Sequence, residues 1–334
     1  MDAFKRSQRK FRSLPRSIAS AIRSISFDRS NDHKFFGTPS SQRRRNGISV
    51  DSYNELRKLI LQVPLPTTVL QRTPTKEFLL NGIDLPLAAS SYYILTLTNQ
   101  CSTLVLFNKD HEVCRIDLSH LLVLVYDMCW SSKLNLFLMA GYGLYSFDAQ
   151  RRVFSTLEQF QLARGEWIVS ITCNMNSMYL LYSRCASRIE CRSLFPPYQL
   201  EKQWPQKCFL RRKDFLAQCI RVNEWNLLAL TIKQQNGEWR VDLFESTNCL
   251  RTIRSCLLGR SVPGMRNCLL IPYERSWLVI NNCSLPQQII LIDENGRIKT
   301  KTYIDKPHGF CNICFLGTEW IGMNVKDKLR LYMI

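Results

Sequence analysis

The chain has 334 residues, 46% of them hydrophobic, and its 45 Lys/Arg against 27 Asp/Glu give a net charge of +18. That length suits two ordinary domains or one large all-β domain. No window holds the ~18 to 20 continuous apolar residues of a membrane-spanning helix, so a soluble chain is expected.

Residues 1–50 hold twelve Lys/Arg and three Asp/Glu, and so carry half of the net charge. This Ser/Arg-rich stretch contains little that could build a core and reads as a largely disordered basic tail. Its Arg43-Arg44-Arg45 run and overall charge make it a handle for RNA, anionic lipid or an acidic protein. Phe4, Phe11, Ile18 and Ile25 recur every seventh residue and would line one face of a basic amphipathic helix, which Pro15 interrupts. Ser13 and Ser26 lie in basic surroundings and are candidate phosphorylation sites, where a phosphate would oppose the local charge. Residues 51–66 form the next segment. A Ser52/Glu55 capping box followed by Leu56, Leu59, Ile60 and Val63 on one face predicts a short helix from Asp51 to Val63, ended by Pro64 and Pro66.

From residue 67 to 334 short apolar runs split by turn residues replace helical periodicity. One run recurs at Tyr92, Asn135, Tyr179, Asn226, Trp277 and Trp320, spaced by 43 to 51 residues. A second follows each at about ten residues and tends to end in an aromatic beside an acid or amide, as in Leu104–Asn108, Leu144–Asp148 and Val241–Glu245. Four-stranded blades have this repeat. The two runs are the second and third strands of each blade, with first strands at 124–130, 168–173, 217–222, 268–272 and 310–316. Outer strands are expected at 113–118, 153–157, 250–254 and 297–303, and Asp293-Glu294-Asn295-Gly296 is the turn into the last of these. The sixth blade lacks an outer strand of its own, and Thr67–Arg72 is expected to supply it and so close the ring.

The period and the aromatic-acid ending resemble the large propeller families with NHL or WD40-like blades, although the Gly-His and Trp-Asp signatures of WD40 blades are absent. The resemblance implies an all-β, six-bladed propeller (seven blades being the alternative count) that binds proteins or nucleic acids. It carries over no functional residue.

The sequence offers no catalytic, metal or cofactor site. His308, Cys311 and Cys314 form the one cluster with a metal-like look, but the two cysteines lie three apart on a predicted strand and face opposite ways. Asp127, Asn174, Asn223, Asn267 and Asn312 lie near first strands, yet a calcium site of the propeller-hydrolase kind needs more than one carboxylate. His111 and His120 flank an outer strand, far from any channel mouth. Cysteines recur in first strands (Cys129, Cys173, Cys219, Cys268, Cys314), where small side chains suit the crowded channel wall. The fourteen cysteines, without a visible signal peptide, suggest free thiols in an intracellular, cytoplasmic protein.

The expected function is therefore a non-enzymatic, monomeric interaction scaffold with protein partners, RNA or anionic lipid being the alternative through the tail, and no DNA-reading motif. The segment from Phe195 to Lys213 is the least regular connection. Its Trp204, Arg211, Arg212 and Lys213 are a candidate surface for an acidic partner or RNA. The alternative is a surface loop with Trp204 and Phe209 tucked beneath it.

Overall fold

The computed structural model describes residues 66–334 apart from 81–85, 99–101, 122, 158–159, 161, 184–186, 246–249, 261–267, 283–286, 305–310 and 326. The amphipathic stripe, the helix expected at 51–63, Ser13, Ser26 and Arg43–Arg45 lie outside these residues.

Six four-stranded antiparallel sheets follow one another along the chain. Blade one comprises β2 (Leu87–Ala89), β3 (Ile94–Thr98), β4 (Thr103–Phe107) and β5 (Glu112–Asp117). Blade two comprises β6 (Val125–Ser131), β7 (Leu136–Gly141), β8 (Leu144–Asp148) and β9 (Val153–Thr156). In blade three they are β10 (Ile168–Cys173), β11 (Ser177–Tyr182), β12 (Arg188–Ser193) and β13 (Leu200–Pro205). Blade four has β14 (Asp214–Val222), β15 (Leu227–Gln234), β16 (Glu238–Glu245) and β17 (Arg251–Arg260), and blade five β18 (Cys268–Tyr273), β19 (Ser276–Asn281), β20 (Gln287–Ile292) and β21 (Ile298–Ile304). Blade six takes β22 (Cys311–Leu316), β23 (Trp320–Val325) and β24 (Lys328–Met333) from the end of the chain and β1 (Lys76–Leu79) from its beginning.

The first strands of successive blades pack side by side in cyclic order, with β22 returning to β2. The result is a six-bladed propeller. Its core is correspondingly divided: each seam between neighbouring blades holds its own apolar cluster, such as Leu95, Leu97 and Phe137 between blades one and two. Second and third strands are covered on both faces by adjacent blades. Every residue of Ile94–Thr98 and Thr103–Phe107 is buried, whereas every residue of β5 is exposed or half-buried. Continuous apolar runs in the middle strands follow from that double covering.

The ring closes through an N-terminal strand, but not the expected one. Pro66–Val69 is a helical turn (α1), and Thr67–Arg72 does not pair with β24. Pro66 fixes φ at the first helical position, and Val69 drops into the seam between blades five and six. The strand that closes the ring is Lys76–Leu79, with Glu77 opposite Arg330 and Phe78 opposite Leu329. Glu77 accepts from Lys328 Nζ and lies against Arg330 Nε, both at 2.9 Å, so charge complementarity sets the register.

Blade three differs from expectation as well. Its outer strand, β13, lies within the segment read as an irregular connection, with Trp204 paired to Ile189. The remaining β13 residues are polar or exposed, which is why the stretch lacks a strand-like pattern. The turn at Asp293 to Gly296 forms as expected: Gly296 has φ +73°, and Asp293 Oδ1 accepts from the amides of Asn295 and Arg297.

Candidate functional site

Each blade starts with its innermost strand, so all six inner strands run the same way along the channel and their N-terminal ends gather at one mouth. At that mouth, across blades two to five, lies a cavity of about 620 Å³. Its wall includes Tyr126, Trp167, Phe215, Leu216, Ala217 and Leu269, with Asp127, Ser170 and Gln218 among the polar groups. Ligand sites of roughly 300–1,000 Å³ with this mixture of apolar wall and sparse polar groups are typical of binding clefts.

The rim is aromatic. Tyr142, at the β7–β8 hairpin, meets Tyr126 and Trp167 edge-on, with ring centroids 5.9 and 6.0 Å away. Tyr126, Tyr142 and Phe215 are all exposed, Phe215 at 64%. Gly141 makes this placement of Tyr142 feasible. A Cβ there would lie 1.6 Å from the Leu124 carbonyl oxygen, so only glycine lets the hairpin press against the chain entering β6.

Beneath the rim a polar brace ties three blades. Arg221 on β14 grips Asp127 on β6 with both terminal nitrogens, at 2.6 and 2.8 Å, and donates to Ser170 Oγ on β10 at 2.9 Å. Ser170 Oγ and the Ile171 amide each donate to Asp127 Oδ2. Burial opposes the Arg221 charge, but the Asp127 carboxylate more than offsets it and the guanidinium pKa is raised. The Asp127 carboxylate is thus fully engaged by cationic and neutral donors, and the Ser170 hydroxyl points at an acid rather than at a base. The described histidines nearest in sequence, His111 and His120, are exposed beside β5.

A basic segment leads into β14 at the same mouth. Arg211, Arg212 and Lys213 are exposed, and Phe215 follows them after the buried Asp214. The segment is held by a buried charge cluster. Arg240, 1% exposed, donates to both Asp214 oxygens and through Nε to Asp242. Asp214 in turn accepts from the Arg211 amide at 2.5 Å. The Arg211 guanidinium reaches Ser255 Oγ at 2.6 Å and lies 3.6 Å from Asp242.

Among the residues singled out from sequence, Arg211, Arg212 and Lys213 therefore come together on the surface beside the cavity. Trp204 does not join them: at 5% exposure its ring belongs to the seam between blades three and four, together with Phe209. Asn174 and Asn223 cap turns beyond the C-terminal ends of β10 and β14, accepting from Ser177 and Leu227 amides. Asn312 accepts from the Ile313 amide at the opposite end of an inner strand. Asp127 and these amides thus divide between the two mouths and do not converge. His308 and Asn267 lie outside the described residues, and Cys314 is buried.

Sequence reasoning missed the aromatic wall, though a signal was present. Tyr126, Trp167 and Phe215 stand 41 and 48 residues apart, close to the blade period, each beside the start of a first strand.

No family model matches the chain, and no curated protein matches it. Solved structures do. A chain from the crystal structure of the mitotic checkpoint complex aligns at 10% identity and TM-score 0.51, covering 92% of this chain and 99% of that one. Streptogramin B lyase aligns at 12% identity and TM-score 0.51, covering 77% of this chain and 96% of its own. At such identities the likeness concerns fold. Topology and neighbours together make residues 66–334 a six-bladed β-propeller.

Proposed function

We propose that this protein is a non-enzymatic protein-interaction scaffold that takes its partner at the N-terminal mouth of the propeller channel. The observation that carries this reading is the juxtaposition of an aromatic-rimmed cavity of about 620 Å³ with the exposed Arg211-Arg212-Lys213 segment. A partner segment with a bulky apolar anchor flanked by acidic residues fits both. The anchor gains from desolvation in the cavity, as interface hot spots do, and the acids gain steering and register from the basic segment. The braced Asp127–Arg221–Ser170 floor favours binding over chemistry, because its carboxylate and hydroxyl are already spent on one another. A second reading, attachment of the basic tail to RNA or an anionic membrane surface, draws on the charge concentrated in residues 1–50.

One experiment tests both. Peptide-display panning is run on the full chain, on a chain lacking residues 1–50, and on a Phe215→Ala/Arg211→Glu/Arg212→Glu variant, each at two salt concentrations. The mouth reading expects acid-flanked apolar motifs enriched equally on the first two and depleted at least tenfold on the variant. Enrichment that follows the tail and collapses with salt would overturn it in favour of the second reading.

A further inference from the structure

The recurrent first-strand cysteines divide into two kinds. Cys219, Cys268 and Cys314 are buried and fill space. Burial also pushes the Cys219 thiol pKa up, as expected of an inert side chain. Cys129 on β6 and Cys173 on β10 differ. Both are half-buried, and their sulfurs face each other at 3.8 Å across the seam between blades two and three. The two strands share no backbone ladder, since each belongs to its own sheet, and they are joined instead by the bonds from Ser170 Oγ and the Ile171 amide to Asp127. The seam is therefore held by side chains, packed around the two cysteines and hydrogen-bonded at Asp127, and the packed part gives by rotamer adjustment more readily than a backbone ladder would. A disulfide bond of about 2.05 Å requires the sulfurs to close by about 1.8 Å.

The two thiols are also unequal. The hydrogen bond from Cys129 lowers the Cys173 thiol pKa, and the same bond raises that of Cys129. Cys173 Sγ further lies 3.5 Å from the Trp130 carbonyl oxygen, which fixes it at the seam. One nucleophilic thiol beside one resolving thiol is the arrangement from which intramolecular disulfides form.

We infer that Cys129 and Cys173 are a redox-active dithiol that small-molecule disulfides of the glutathione class oxidise to an inter-blade disulfide. The Cys173 thiolate attacks one sulfur of the oxidant, its S–S bond breaks, and one thiol leaves as a mixed disulfide remains on Cys173. Cys129 loses its proton and attacks Cys173 Sγ, and the second thiol departs. One oxidant disulfide is reduced to two thiols, and two protein thiols become one cystine. Cys208, exposed on the 3-10 turn Gln206–Cys208, has no such sulfur facing it among the described residues and marks what simple accessibility achieves.

The test uses the full chain with graded ratios of oxidised to reduced glutathione, followed by alkylation and tryptic mapping. Cys129 and Cys173 each fall on a tryptic peptide with no other cysteine (residues 116–133 and 165–184), so their link is unambiguous. The expected result is the 116–133/165–184 cross-linked pair at ratios that leave Cys191, whose thiol burial pushes up to about 11, in its reduced form. Cys129→Ser should trap Cys173 as a stable glutathione adduct, whereas Cys173→Ser should leave Cys129 unmodified. The trivalent arsenical phenylarsine oxide should bind the reduced wild-type pair and neither serine variant. The inference is overturned if both peptides stay reduced where Cys208 is fully glutathionylated, or if either cysteine links elsewhere. Wild-type mapping decides this even should a serine variant fold poorly.

Discussion

At the scale of single residues, the most exacting site is Arg240, an ion enclosed by two carboxylates in the middle of blade four. A buried ion cluster adds little net stability when complete, but removing one member leaves the others uncompensated. Arg240→Ala strands Asp214 and Asp242 with the half-exposed Arg211 as their remaining cation, and is expected to cost about 3–5 kcal/mol in chemical denaturation. Because Asp214 also caps the Arg211 amide, the same change should loosen the basic segment at the mouth. Glu190 in blade three makes a parallel case with a pH signature. Burial alone would raise its pKa, but hydrogen bonds from Arg188 and Arg192 outweigh it and hold the carboxyl below the usual value of 4.5. The unfolded chain therefore takes up that proton first as pH falls. The contribution of Glu190 is complete above about pH 4.5 and disappears as pH drops through its lower folded value. In paired urea titrations, the stability gap between wild type and Glu190→Gln should be widest near pH 6 and shrink toward pH 3.

At the scale of elements, the β7–β8 hairpin illustrates how a backbone constraint presents a functional side chain. Gly141→Ala must push the hairpin off Leu124, and an overpacked site of this kind costs about 1–3 kcal/mol. Tyr142→Ala removes the exposed ring without moving the backbone and should leave the denaturation midpoint nearly unchanged. Both should weaken capture of the panned peptides, and only the first should also lower the midpoint. Elements with this kind of constraint are hard to read from sequence, while the blades themselves were easy. Runs such as Ile94–Thr98 and Leu104–Phe107 are buried throughout and mostly apolar because neighbouring blades cover both faces, and they recur at the blade period. The strands that escaped notice are those with one solvent face or few residues: β2, three residues long, β13 with Trp204 as its single buried side chain, and β1, whose Lys-Glu-Phe-Leu sequence reads as an ordinary charged stretch. The cavity was illegible for a different reason. Its wall is assembled from residues of four blades, so no single local motif encodes it, and only comparison of equivalent positions across blades shows Tyr126, Trp167 and Phe215 as a set. The dithiol was visible as a recurrence of cysteine, but sequence spacing cannot distinguish sulfurs that fill space from sulfurs that meet.

At the scale of the whole propeller, stability depends on a closure made by four residues far upstream of their partners. β1 covers the free edge of β24, and Phe78 packs on Phe107 of blade one with ring centroids 5.2 Å apart, so this strand also seals the last seam. The same junction is tight at Gly322, where a Cβ would come within 2.8 Å of Ile94 Cδ1 and 3.0 Å of Cys314 Sγ. Two truncations separate the closure from everything before it. Removal of residues 1–64 leaves α1 and β1 in place, and the propeller should still unfold in one cooperative transition. Removal of residues 1–80 deletes both, bares the Lys328–Met333 edge together with the apolar face of blade six, and exposes an unpaired strand of the sort that templates association. That chain should lose its cooperative transition and scatter light at micromolar concentration. Adding back a peptide spanning residues 65–80 should restore both properties, because the closing contact is made of pairing and packing and contains no covalent link. Full cooperativity of the 1–80 deletion without the peptide would mean that blade six holds with three strands, and that the upstream strand decorates the ring instead of completing it.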